Sequence, residues 1–169
     1  MIKRVVWGAV FILAAALLQS TVLSRLSFYI HAIPDIALCI LVFIAYVNGA
    51  MTGQLTGFVS GLILDFLSAS PLGLNALIRT IIGAATGLIK DTFFLDAFFL
   101  PIVLCVGATV AKALLLFLLH LLFPEMVPSY TLLGFTFLVE LGMNALLAPA
   151  LFAFLRLFKS ILVEKREGA

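Results

Sequence analysis

Residues 53–75 carry Gly53-xxx-Gly57-xxx-Gly61-xxx-Asp65, followed after two residues by Ser68-Ala69-Ser70-Pro71-Leu72-Gly73-Leu74-Asn75. Four helical residues advance about 400°, so the three glycines form one slowly winding stripe that ends at a carboxylate. A stripe of small residues lets a second helix backbone approach closely, which a lipid neighbour does not require. The segment is therefore a packing surface first, and the turn after it brings the chain back along the same surface.

The rest of the chain sets the medium. Of its 169 residues, 64% are hydrophobic and only 11% are charged, whereas soluble domains carry roughly 25% charged residues. The composition is that of an all-α integral membrane protein, with one membrane domain over residues 1–169. Cys39 and Cys105 lie in apolar runs without metal-ligand spacing and read as small buried hydrophobes. Met1-Ile2-Lys3-Arg4 opens a run that reaches Leu23 without a small-x-small cleavage site, so an uncleaved first span is expected.

Six apolar segments follow one another, near residues 5–24, 35–48, 52–67, 71–89, 97–122 and 130–158. Asn48-Gly49 suits a helix C-cap, Pro71 a first helical turn, and Asp96 an N-cap. The second and third segments fall short of the roughly 20 residues of a full span. Joined by almost no loop, they read as a tight hairpin that tilts or thins the membrane, with a re-entrant pair as the alternative. With six spans both termini share a side, together with Lys3, Arg4, Lys90, Arg156, Lys159, Lys165 and Arg166, against Arg25 opposite. The positive-inside rule makes that side cytoplasmic. Residues 159–169 then form a short basic tail, attracted to anionic lipid by Lys159, Lys165 and Arg166.

Asp65, Arg79, Lys112 and Glu140 all fall within spans. Each costs on the order of 2.5–3.5 kcal/mol at the centre of a lone helix, so each is expected to find a partner. Lys112 lies twelve residues before Pro124 and Glu140 twelve after Pro128, which sets both at one depth in an antiparallel hairpin. An ion pair is expected, with Asn144 one turn along the same face. Register fixing is its plain role, a proton or ion relay the alternative, and exchange of the two charges is expected to restore assembly. In the third and fourth spans Asp65 matches Asn75 in depth, while Arg79 lies roughly 9 Å deeper and reaches Asp65 only by snorkelling. Ser68, Ser70 and nearby amides are further donors to Asp65. Gly83-xxx-Gly87 supplies the fourth span with its own small-residue face.

No HExxH, G-x-S-x-G or phosphate loop occurs, and His31 and His120 are isolated near predicted outer ends of spans. No catalytic residue, metal, cofactor or nucleic-acid partner is indicated. Pro34-Asp35, the glycine stripe with Asp65, and Ser70-Pro71-Leu72-Gly73-Leu74-Asn75-Ala76-Leu77 together resemble the MreD family of rod shape-determining proteins of the bacterial elongasome. The likeness extends over nearly the whole chain. It implies a non-enzymatic scaffold of the bacterial inner membrane, working with MreC, the actin-like MreB, RodA and a class B penicillin-binding protein. It also implies the six-transmembrane-helix bundle of the substrate-binding component of energy-coupling-factor transporters, and a small-molecule-binding transporter subunit is the rival function. The family's recurring motif maps onto Pro34, Asp35, Gly57, Gly61, Asp65, Pro71, Gly73 and Asn75. With Gly53 these are taken as structural or partner-facing, and Arg79, Lys112, Glu140 and Asn144 as intramembrane polar pairing.

Overall fold

The computed structural model describes residues 2–19, 34–68, 70–90, 98–127 and 134–162. They form six long helices and one short one: α1 (Ile2–Leu18), α2 (Ile36–Asn48), α3 (Ala50–Leu67), α4 (Leu74–Leu88), α5 (Phe99–Leu122), α6 (Phe135–Leu157) and α7 (Lys159–Leu162). No strand occurs among the described residues. The proposed cap at Asp96, and Arg25 and His31, lie outside the described residues.

The helix lengths correct the sequence reading of the short hairpin. With 18 residues α3 is long and apolar enough to cross a membrane, as are α5 and α6, whereas α2 has 13 residues and α4 has 15. At 1.5 Å per residue α2 spans only about 20 Å, well short of a roughly 30 Å hydrocarbon core. Its short length matches its position. Every residue from Ala37 to Ala45 is buried, and α2 touches α1, α3, α4, α5 and α6. A helix that is apolar all round belongs at the centre of a bundle. Ile12, Ile78, Ile82, Leu104, Phe152 and Leu155 close around it.

Two glycines make the sharp turns. Gly49 alone separates α2 from α3; its N–H donates to Ala45 O at 2.8 Å and its φ is +95°. The expected C-cap at Asn48-Gly49 is therefore present. Gly73 has φ +93° and starts α4. Both angles lie in the left-handed region, where a Cβ is strained. Pro71 precedes Gly73 in the turn, accepting a bond from Leu74 N at 3.1 Å, rather than occupying the first helical turn of α4.

The α3–α4 pair packs backbone to backbone along its length. A Cβ on Gly61 would stand 2.5 Å from the Ala76 Cα, and one on Gly87 2.5 Å from the Ala50 Cα. Gly53 and Gly83 face each other's carbonyls, and Gly57 faces the Arg79 carbonyl, with no space for a Cβ at any of the three. The stripe is thus filled by α4 and is not a surface open to a partner.

Residues Lys159–Leu162, at the start of the expected basic tail, form α7. Leu162 is fully buried, and its carbonyl accepts a 2.7 Å bond from Asn48 Nδ2 at the end of α2. The Phe158 ring meets the Phe11 ring at 5.2 Å. So α7 folds back onto the bundle.

Candidate functional site

Two polar sites are set into the apolar bundle. The first is the α3–α4 turn. Asp65, 3% exposed at the end of α3, accepts bonds from Gly73 N (2.9 Å), Asn75 N (2.9 Å), Asn75 Nδ2 (2.9 Å), Ala76 N (3.1 Å) and Ser70 Oγ (3.3 Å). The first amides of a helix lack intrahelical acceptors, and a carboxylate there also complements the helix dipole. Asp65 therefore caps α4 from the preceding helix. Asn75 is its neighbour, as the depth count expected, and Asn75 Nδ2 also reaches Ser70 Oγ at 2.9 Å. Removing this acceptor strands several buried donors at about 1–3 kcal/mol each. Asp65→Ala is expected to lower the thermal midpoint in detergent strongly, and Asp65→Asn less, since one amide oxygen still accepts.

The second site is a charge network at the start of α2. Lys112 Nζ on α5 donates to Glu140 Oε1 on α6 at 2.6 Å, the ion pair the twelve-residue count called for. It also donates to Asp35 Oδ2 at 2.8 Å, and Arg79 Nη2 on α4 donates to Asp35 Oδ1 at 2.8 Å. Arg79 therefore pairs with Asp35 and not with Asp65. Its position, roughly two turns deeper than Asp65, puts it opposite the first turn of α2. Two cations and two carboxylates balance to zero across four helices. A balanced, hydrogen-bonded cluster is the form in which buried charge is tolerated.

The same cluster completes the N-terminus of α2. Asp35 Oδ1 accepts from Leu38 N at 2.9 Å, the N-cap bond. Asn144 Oδ1 on α6 accepts from Asp35 N at 2.8 Å, while Asn144 Nδ2 donates to Thr109 Oγ1 on α5 at 3.0 Å. Gln19, after α1, donates to Pro34 O and accepts from Ala37 N. Pro34 is fully buried and has no N–H to satisfy. Nothing in the sequence singles out Gln19 or Thr109, and Asp35, taken there as structural or partner-facing, has no charged partner assigned to it. One signal was present. Asp35 stands thirteen residues before Asn48, and Lys112 thirteen after Phe99, so both lie about 20 Å from the same end of the bundle.

Gln19, Asp35, Arg79, Lys112 and Glu140 border a cavity of about 400 Å³, with Leu64 and Leu67 on its apolar wall. Arg79 Nη1 is buried and has no hydrogen-bond partner among the described residues. Elsewhere, Cys39 and Cys105 are buried free thiols, and His120 Nδ1 lies 2.7 Å from Val127 O near the end of α5.

The distribution of polarity defines the class. On α6, Phe135, Leu146 and Leu157 are 72–80% exposed, while Glu140 and Asn144 on the same helix are buried. Apolar side chains outside and charges inside are the pattern of a protein dissolved in lipid. This is an all-α integral membrane protein. The family model described as rod shape-determining protein MreD matches residues 1–158, and the chain belongs to the MreD family. No curated protein and no solved structure matches the chain.

Proposed function

We propose that the chain is a non-catalytic scaffold of the cell-elongation machinery, linking MreC, and through it MreB, RodA and a class B penicillin-binding protein, to lateral peptidoglycan synthesis. Membership of the rod shape-determining family over residues 1–158 carries this reading. The polar chemistry supports it. The carboxylates of Asp35, Asp65 and Glu140 are engaged in holding helices together, which is what a rigid platform for lateral contacts requires. In this reading the protein is a multi-pass component of the bacterial inner membrane with both termini cytoplasmic. Pro34, Asp35, Gly53, Gly57, Gly61, Asp65, Pro71, Gly73 and Asn75 maintain the platform, and partners dock on its lipid-facing sides.

The tagged chain is expected to co-purify with a MreC-type protein and a class B penicillin-binding protein, and its depletion to convert rods to rounded cells. Rods that persist on depletion, with neither partner recovered, would overturn the proposal. The second reading is a small-molecule-binding subunit of an energy-coupling-factor-type transporter. The cavity of about 400 Å³ beside Arg79 favours it, and recovery of a transporter ATPase with a bound vitamin would establish it.

A further inference from the structure

A second crevice lies at the opposite end of α2 from the charge network, where α2 ends, α5 begins and α6 ends. It encloses about 390 Å³, within the roughly 300–1,000 Å³ range of ligand pockets. Its floor is the edge-to-face pair Phe43–Phe152, with centroids 5.1 Å apart. Both rings are at most 3% exposed, so the floor is fixed by the core. Tyr46 and Leu100 form the walls. The rim is cationic: Arg156 and Lys159, three residues apart across the α6–α7 junction, are both exposed. Neither side chain has an ion pair or hydrogen bond among the described residues.

An apolar slot between helices, with two cations at its mouth that have no partner among the described residues, has the chemistry of an acidic phospholipid site. One acyl chain lies against the aromatic floor, and the phosphate accepts bonds from the guanidinium and ammonium groups. Basic pockets between membrane helices hold anionic headgroups in this way. Arg presents a planar fork suited to phosphate oxygens, and Lys adds a point charge. A zwitterionic lipid brings its own cation to the same mouth and gains much less.

We propose that the crevice bounded by Phe43, Tyr46, Leu100, Phe152, Arg156 and Lys159 binds one acidic phospholipid. The site does not depend on the scaffold reading, since any membrane function leaves it in contact with lipid.

The test uses the full chain in a mild detergent, with native mass spectrometry after addition of phosphatidylglycerol or phosphatidylcholine of matched acyl chains. A first phosphatidylglycerol is expected to be retained preferentially. The double variant Arg156→Gln/Lys159→Gln is expected to lose it by roughly tenfold to thirtyfold, the effect of removing two cations at a lipid surface. Leu100→Trp, which fills the slot without altering charge, is expected to lose it as well. Lys3→Gln/Lys90→Gln removes equal charge at residues that do not line the crevice and is expected to leave retention unchanged. Each variant is compared at equal elution volume on gel filtration, so a folding defect is visible separately. Equal retention of the two lipids by the unaltered chain, or equal loss in the Lys3/Lys90 control, would overturn the proposal.

Discussion

Gly57→Leu is expected to abolish recovery of folded protein, and Gly57→Ala to lower its thermal midpoint sharply. A Cβ at this position falls on the Arg79 carbonyl and on the following amide, which belong to a helix backbone and cannot swing aside. Accommodation requires α3 and α4 to separate along their length, because Gly53–Gly83, Gly61–Ala76 and Gly87–Ala50 hold the same interface. Overpacking a close-packed site ordinarily costs about 1–3 kcal/mol when side chains adjust. Here the contact is backbone against backbone, and the cost for Ala belongs at or above the top of that range. Separation also breaks the cap that Asp65 gives α4 and moves Arg79 away from Asp35. The measurement is the fraction of detergent-extracted protein that elutes as a single species, with the midpoint for the Ala variant. Gly107 and Gly142 have nothing within 4 Å of an added Cβ, so their Ala variants are expected to behave like the unaltered chain. Unaltered folding of Gly57→Leu would show that the α3–α4 contact is not as close as described.

The second large effect lies at Lys112. Lys112→Met leaves Asp35 and Glu140 facing each other with only Arg79 to balance them, and breaking a buried pair by removing one partner costs about 3–5 kcal/mol. Exchange of Lys112 with Glu140 was the rescue that sequence counting suggested. The structure reverses that expectation, because Lys112 serves Asp35 at 2.8 Å as well as Glu140 at 2.6 Å. A glutamate at position 112 would confront Asp35, so the exchanged chain is expected to remain unstable. Lys112→Met/Glu140→Gln is the combination expected to recover most of the loss. It keeps the Asp35–Arg79 pair and returns the cluster to zero net charge. A double-mutant cycle on thermal midpoints reads the coupling directly. Full rescue by the charge exchange would show that Asp35 is not the shared acceptor.

The sequence was informative wherever spacing along one helix, or across one short turn, decides the outcome. The glycine period gave the α3–α4 contact surface, and Asp65 and Asn75 meet because six residues of turn set them at one depth. Lys112 and Glu140 meet for the same reason across the α5–α6 turn. The departures occur where a residue's partner is distant in the chain. Asp35 gathers Arg79, Lys112 and Asn144 from three other helices, at separations of 44, 77 and 109 residues. The helical period says which face of each helix is polar but not which faces are brought together. Pro71 was placed one turn too far into α4 because the left-handed turn at Gly73 cannot be told from a helix start by composition. Lys159 was assigned to a tail because its charge is visible in sequence, whereas the burial of Leu162 under α2 is not.

By itself the sequence determined that this chain is a helical membrane protein, where its closest helix contact lies, and that its intramembrane charges must be paired. Those are consequences of solvent and period: lipid excludes unpaired charge, and a helix repeats every 3.6 residues. Only the tertiary structure decided that α2 is the buried hub, that Asp35 joins both cations, and that Arg156 and Lys159 rim a crevice. Each of these depends on how six helices are arranged side by side, and lateral order leaves no periodic trace in the chain.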